Sequence, residues 1–259
     1  METVAHLPPL SLWSFCRHSL FREYGWHFFW RFGLPHPVRT IRAVRTAAAL
    51  DVSGTQVVLP AQAAAPSFSG PRAIIGVGFC LKPLEPPCPS GRFNHDCAFL
   101  EGLAGSGSRE TPAPCRQCVI RELGLLALRT GAACYIMTSA RDILFDLYLP
   151  ALANRTFATG LFVLCRYSLR PFAVGLLAAG IHGRMWPFET GDCRDYPTWL
   201  RADRGDKAER TGISTAHLQT IREFLLAAPP AQARAAGFAK RGQILFPVSP
   251  TSGPGRKAP

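Results

Sequence analysis

Thiols are the residues of this chain with the clearest chemistry. Five of the nine cysteines, Cys80, Cys88, Cys97, Cys115 and Cys118, fall in one stretch from Phe79 to Cys118. That stretch is rich in Pro, Gly and Ser and reads as mostly loop. Cysteine that only fills space belongs in a core, and loops rarely supply one. Thiols gathered on a loop therefore ask for a chemical explanation. Deprotonated, they bind soft metals, exchange disulfides or act as nucleophiles.

Composition sets the compartment. The chain has 259 residues with 47% hydrophobic content, enough for a sizeable core. The sequence shows no signal peptide, and no stretch of about 18 apolar residues reads as a membrane span. We therefore expect a reducing, cytoplasmic setting, where grouped cysteines serve metals or catalysis more often than disulfides. The net charge is +12. Such a balance favours nucleic acid or an anionic membrane. The basic residues are nearly all Arg, however, spread without a dense run, and that pattern also arises from base composition alone.

The elements that must position these thiols read as α/β. We expect a mostly parallel sheet of about four strands with flanking helices, preceded by an aromatic, basic helical segment. Residues 1–58 hold that segment, 59–72 a linker, 73–230 the Cys-rich α/β domain and 231–259 a C-terminal tail. Ala73 to Phe79, Ala133 to Thr138, Leu161 to Cys165 and Ile181 to Phe188 read as buried strands. A helix is expected from about Cys115 to a Gly131 cap, another after Ser139 with Asp142 close to a capping box, a third over Pro171 to Ala179, and a last from Thr215 to Ala228. In the N-terminal segment Val38, Ile41 and Val44 form an apolar stripe beside Arg39, Arg42 and Arg45. That stripe suits either packing on the domain or a peripheral position on a membrane.

Parallel topology then gathers the cysteines. Ligands of open α/β sheets sit outside the carboxyl ends of the strands. Cys80 and Cys165 end two strands and Cys193 follows a third. Cys115 and Cys118 open the helix leading away from the first, and Cys88 lies on the loop between. Helix-start thiols at Cys115 and Cys118 should have lowered pKa values. All-thiolate, dispersed ligands point first to an iron–sulfur cluster, then to zinc. A thiol redox pair at Cys115 and Cys118 is a further alternative.

Cys80, Cys88-Pro89, the Cys115/Cys118 C-x-x-C pair, Tyr135-Ile-Met-Thr, Cys165 and Gly191-Asp-Cys193 together resemble a Cys-rich prokaryotic family. It is grouped as a domain of unknown function and regarded as metal-binding. The resemblance covers about Ala73 to Cys193. It implies Cys80, Cys88, Cys115, Cys118, Cys165 and Cys193 as metal ligands and implies no reaction.

Other residues have blander readings. Thr138, Ser139 and Arg166, with Arg184, suit either an anion or cofactor site or plain capping and surface charge. Cys97 reads as a loop or helix-start cysteine, and Cys134 and Cys16 as core. Asp192, Asp195, Asp203 and Asp206 with Lys207 read as a solvated loop. The sequence thus leads to a Cys-rich metal protein, iron–sulfur before zinc, serving a small molecule or an electron-transfer partner. Its alternatives are a zinc-stabilised module for nucleic acid or anionic membrane, and a thiol oxidoreductase.

Overall fold

The computed structural model describes residues 24–60, 68–104, 111–231 and 235–248. Cys16, the aromatic residues before Tyr24, half of the expected linker and the last eleven residues lie outside them. The core is a mixed sheet of seven strands: β1 (Val57–Val58), β2 (Ala73–Gly78), β3 (Ala133–Met137), β4 (Thr159–Leu164), β5 (His182–Pro187), β6 (Gly237–Arg241) and β7 (Ile244–Val248). Their order across the sheet is β1-β5-β4-β2-β3-β7-β6. The four central strands are parallel, with β2 between β3 and β4 and β5 beyond β4.

The α/β class and the four parallel strands agree with the sequence, but the sheet as a whole is not mostly parallel. Three antiparallel strands extend it: β1 pairs β5, and the β6–β7 hairpin pairs β3 through β7. The expected C-terminal tail thus contains a hairpin that completes one edge. Gly242 turns it at φ 59°, a backbone region glycine adopts without a Cβ penalty.

Side chains alternate across the buried strands and divide the core in two. Ile74, Tyr135, Phe162 and Met185 face one cluster, while Ile75, Cys134, Leu161 and Trp186 face the other. Three helices cover the first face: α1 (Pro37–Ala48); α3, which spans 140–154; and α4 (Leu169–Ala179). The second face is covered by α2 (Val119–Thr130) and α6 (Thr215–Ala227). A further helix, α5 (Tyr196–Asp203), lies in a stretch whose sequence reads as solvated loop. Asp195 caps it, and Trp199 and Ala202 are buried.

Local chemistry explains the boundaries. α2 buries Ile120, Leu123, Gly124 and Ala127, a helical stripe, and ends at Gly131 with φ 70°. α3 opens on a full capping box between Ser139 and Asp142. It widens to a π turn over Leu144–Tyr148, just before Pro150. Proline lacks the N–H of a normal helical bond and crowds the preceding turn, which favours such a bulge.

The tightest backbone approach joins β4 to β5. Gly160 pairs with Gly183. Gly183 has φ 144°, and a Cβ there would stand 1.8 Å from the Gly160 carbonyl oxygen. Replacing Gly183 by Ala should cost about 3 kcal/mol or more, through backbone clash rather than lost burial. Urea unfolding of Gly183→Ala beside Gly54→Ala, an exposed loop change, will check this.

Candidate functional site

The strand order places a switch point between β2 and β4. After β2 the chain turns to the face covered by α2. After β4 it turns to the opposite face, covered by α4. Neither connection covers the carboxyl ends of the two strands, and ligands of open α/β sheets collect in such a gap. A cavity of about 90 Å³ lies there. Phe79, Leu164, Phe172, Phe188 and Trp199 give it apolar walls. Three thiols line it: Cys80, Cys165 and Cys193.

Each thiol is placed by the end of a strand. Cys80 sits in the turn Phe79–Leu81 that follows β2 directly. Cys165 is the first residue after β4. Cys193 follows Gly191, whose φ is 63° and whose Cα admits no side chain, since a Cβ would lie 2.2 Å from the Arg210 carbonyl oxygen. That contact presses the Gly191–Cys193 turn against the 204–211 loop.

The loop contributes Lys207, which is buried. Its ammonium donates to the Gly191 carbonyl at 2.6 Å and reaches the Cys193 sulfur at 3.8 Å. It also stands 3.6 Å from the exposed Glu209 carboxylate. A buried ammonium needs negative charge nearby; Glu209 supplies a carboxylate, and the Cys193 thiol beside it has a lowered pKa.

The hydrogen bonds form a chain. Trp199 Nε1 donates to Ser168 Oγ at 2.7 Å. Ser168 Oγ lies 2.8 Å from the Cys165 sulfur, and Cys165 in turn bonds the Cys193 sulfur. The pair is asymmetric. The hydrogen bond from Cys165 holds the Cys193 thiol below the usual range, with Lys207 assisting. The same bond, with burial, pushes Cys165 well up. Cys80 is pushed up to about 12, first by burial and then by the neighbouring charge of Cys193. Thus the cleft holds one lowered thiol, Cys193, bonded by one raised thiol, Cys165, with a second raised thiol, Cys80, beside them.

Asp192 completes the turn. Its carboxylate accepts the Arg166 N–H at 2.9 Å and the Cys193 N–H at 2.9 Å. Burial nevertheless raises its pKa to about 6, because two N–H donors offset only part of the desolvation.

The expected ligand set divides. Cys80, Cys165 and Cys193 come together at the cleft. Cys88, Cys115 and Cys118 lie elsewhere and are joined by Cys97. Cys97 feels the charge of Cys118 and Cys88, Cys118 feels Cys88, and Cys115 feels Cys118 and Cys88. Two of these sulfurs already accept backbone hydrogen bonds: Cys97 from Phe99 and Leu100, and Cys118 from Ile120 and Arg121. Lys82, also buried, faces Cys88, Cys97 and Cys118 while donating to Asn94.

The helix-start expectation fails for pKa. α2 begins at Val119, with Cys118 as its N-cap and Cys115 one turn earlier. Both thiols are raised, with burial the largest cause. Desolvation outweighs the helix end. Among the described residues, no three His, Cys, Asp or Glu side chains converge closely enough to hold a metal ion as they stand.

The expected anion donors are engaged. Thr138 lines the cleft and donates to Asp142 at 2.6 Å, while Ser139 caps α3. The Asp203 carboxylate accepts the Ala140 N–H at 2.6 Å, so two carboxylates occupy the start of α3, where an anion would bind. The Arg166 guanidinium holds the Val52 and Gly54 carbonyls, and Arg184 bonds Gln56. Cys134 is core, as its strand position implies. Lys207, which the sequence places in a solvated loop, is instead buried beside Cys193. Its only signal is a lone lysine among arginines, fourteen residues after Gly191-Asp192-Cys193.

Comparison with protein-family models, curated proteins and solved structures finds no match.

Asp192 gives a pH test. A carboxyl whose folded pKa exceeds its unfolded value stabilises the fold fully below the unfolded pKa, near 4. That contribution is lost as pH rises through about 6. The ionised, buried carboxylate then costs roughly 2–3 kcal/mol at pH 7. Asp192→Asn should remove this slope, so the stability difference between variant and parent should grow between about pH 4 and 6. Urea unfolding across that range reads it.

Proposed function

We propose that the chain is a thiol-based redox protein acting on a small molecule in the cleft between the carboxyl ends of β2 and β4. The observation that supports this most is the Cys165–Cys193 contact, which lowers one thiol and raises the other, with the Lys207 ammonium 3.8 Å from the Cys193 sulfur. The acting pair in this reading is Cys165 and Cys193, far apart in sequence, rather than the C-x-x-C pair. A lowered attacking thiol beside a raised partner is the arrangement that disulfide exchange uses.

The chemistry balances with a small disulfide as oxidant. The Cys193 thiolate attacks one sulfur of the disulfide and releases the first thiolate. Cys165 then loses its proton, and Asp192, whose charge is felt at Cys165, is placed to take it. The Cys165 sulfur attacks Cys193 in the mixed disulfide and releases the second thiolate. Two electrons pass from the protein thiols to the substrate, leaving a Cys165–Cys193 disulfide. The apolar walls favour a substrate with an apolar body.

The test is exposure to hydroxyethyl disulfide followed by peptide mapping. The parent should give a Cys165–Cys193 disulfide. Cys165→Ser should accumulate a mixed disulfide on Cys193, and Cys193→Ser should give neither. Lys207→Met should move the pH profile of Cys193 alkylation upward. A parent whose Cys165 and Cys193 stay reduced while other thiols react would overturn the reading.

A second reading concerns metal, and a separate observation favours it. Cys88, Cys97, Cys115 and Cys118 supply four thiolates, as a tetrathiolate zinc or iron–sulfur centre requires. Backbone N–H groups already aimed at two of the sulfurs are the outer support such ligands use. Lys82 would offset the negative charge of four thiolates around a divalent metal or cluster. Binding requires the sulfurs to close from their present separation. Protein purified without oxygen should then carry iron with matching sulfide, or zinc, in about one centre per chain. Cys97→Ser should lose it and Cys193→Ser should keep it.

A further inference from the structure

α1 is built with its residue sizes reversed. Its small residues, Ala43 and Ala47, are buried against the body of the protein. Its large apolar residues point away: Val38 is 61% exposed, Ile41 53% and Val44 38%. An ordinary amphipathic helix buries its bulky apolar residues and shows its small or polar ones. The turn before α1 repeats the pattern. Phe32 is buried, while Trp26, Phe29, Trp30 and Leu34 are exposed. Seven large apolar side chains within nineteen residues are therefore left facing outward. Apolar exposure gathered in this way marks a binding surface.

Charge says what the surface meets. A groove of about 760 Å³ runs beside α1, and Val38, Arg39 and Arg42 of that helix line it. Arg72, Arg155 and His182 line it too. Among the described residues, no carboxylate lies within ion-pair distance of any of the four guanidinium groups. Arg39 and Arg155 are close enough to repel each other. Arg31 and Arg45 add exposed positive charge on the same two helical segments. Unpaired arginines beside exposed Trp, Phe and Ile are what an anionic lipid surface accommodates. Indole and aliphatic groups enter the headgroup boundary, and guanidinium groups meet the phosphates.

We propose that α1 and the aromatic turn before it dock the protein on an anionic phospholipid membrane, with lipid phosphates in the arginine groove. The helix lies in the interface rather than across it. Among the described residues, no helix is long and apolar enough to span a bilayer. This docking is independent of the thiol chemistry.

The test is flotation of the full chain with vesicles. Vesicles of equal parts phosphatidylcholine and phosphatidylglycerol should carry it, and phosphatidylcholine alone should carry much less. Trp26→Ser, Trp30→Ser and Ile41→Ser together should reduce binding at least tenfold without changing the thermal transition, since all three side chains are exposed. Arg42→Glu with Arg72→Glu should reduce it about thirtyfold or more at low salt, from roughly fivefold for each lost charge and more for its reversal. Three results would overturn the proposal. The parent chain does not float with either vesicle, as when residues 1–23 or a second copy of the chain covers the face. Both variants float as well as the parent. Or the parent binds single-stranded RNA in place of vesicles.

Discussion

Two neighbouring parallel strands, β2 and β4, send the chain to opposite faces of the sheet, and the chemistry of the molecule depends on that divergence. No connection can cover a gap from which both connections depart. The residues just past the strand ends therefore become the walls of a cleft whatever their identity. Here those residues include Cys80 and Cys165, and β5 delivers Cys193 by the same logic. The three thiols are 85 and 28 residues apart in sequence. They meet because the sheet is parallel at its centre, and an antiparallel core would have scattered them to opposite rims.

Inside that frame, buried charge organises the thiols. The protein places two of its four lysines below the surface, Lys82 and Lys207, each beside cysteine. An ammonium buried without a counter-charge is costly, and the neutral carbonyls that each lysine bonds do not supply one. Carboxylate and thiol share that role: Glu209 stands 3.6 Å from Lys207, and Asp96 faces Lys82 together with its cysteines. At Lys207 the neighbouring sulfur is Cys193, and the bond from Cys165 breaks the symmetry of the pair by lowering Cys193 and raising Cys165. At Lys82 the demand is shared among Cys88, Cys97, Asp96 and Cys118. The same physics therefore gives one lowered thiol in the cleft and a set of raised thiols around Lys82.

What the sequence made legible follows from period and capping. β2 to β5, the Gly131 cap and the Ser139 capping box depend on near neighbours, and a linear reading captures them. The rim position of Cys80, Cys165 and Cys193 was legible too, because topology rather than distance carried the inference. The division of the cysteines was not. Whether Cys118 joins Cys193 or Cys97 depends on how the 37-residue connection between Leu81 and Val119 folds, which no local rule fixes. Nor was the β6–β7 hairpin, whose strands are short and whose pairing partner, β3, is about a hundred residues away. The lowered pKa expected at Cys118 came from a real effect, the helix end. It failed on magnitude, because burial opposes it more strongly.

The two thiol sets are not mechanically separate. Arg92 lies on the same connection as Cys88 and Cys97, and its guanidinium donates to the backbone carbonyls of Lys207 and Glu209. Lys82, two residues after Cys80, reaches into the loop to Asn94. The loop thus holds the backbone of the lysine beside Cys193. A change that tightens the loop, such as metal drawing four sulfurs together, acts on Lys207 through Arg92 and on Cys80 through the chain itself. A change that loosens it withdraws the cation from Cys193 and raises that thiol toward its ordinary range. Lys207 beside Cys193, with its backbone carbonyl held by Arg92 from the connection that carries Cys88 and Cys97, places the two sets of cysteines in one network of contacts.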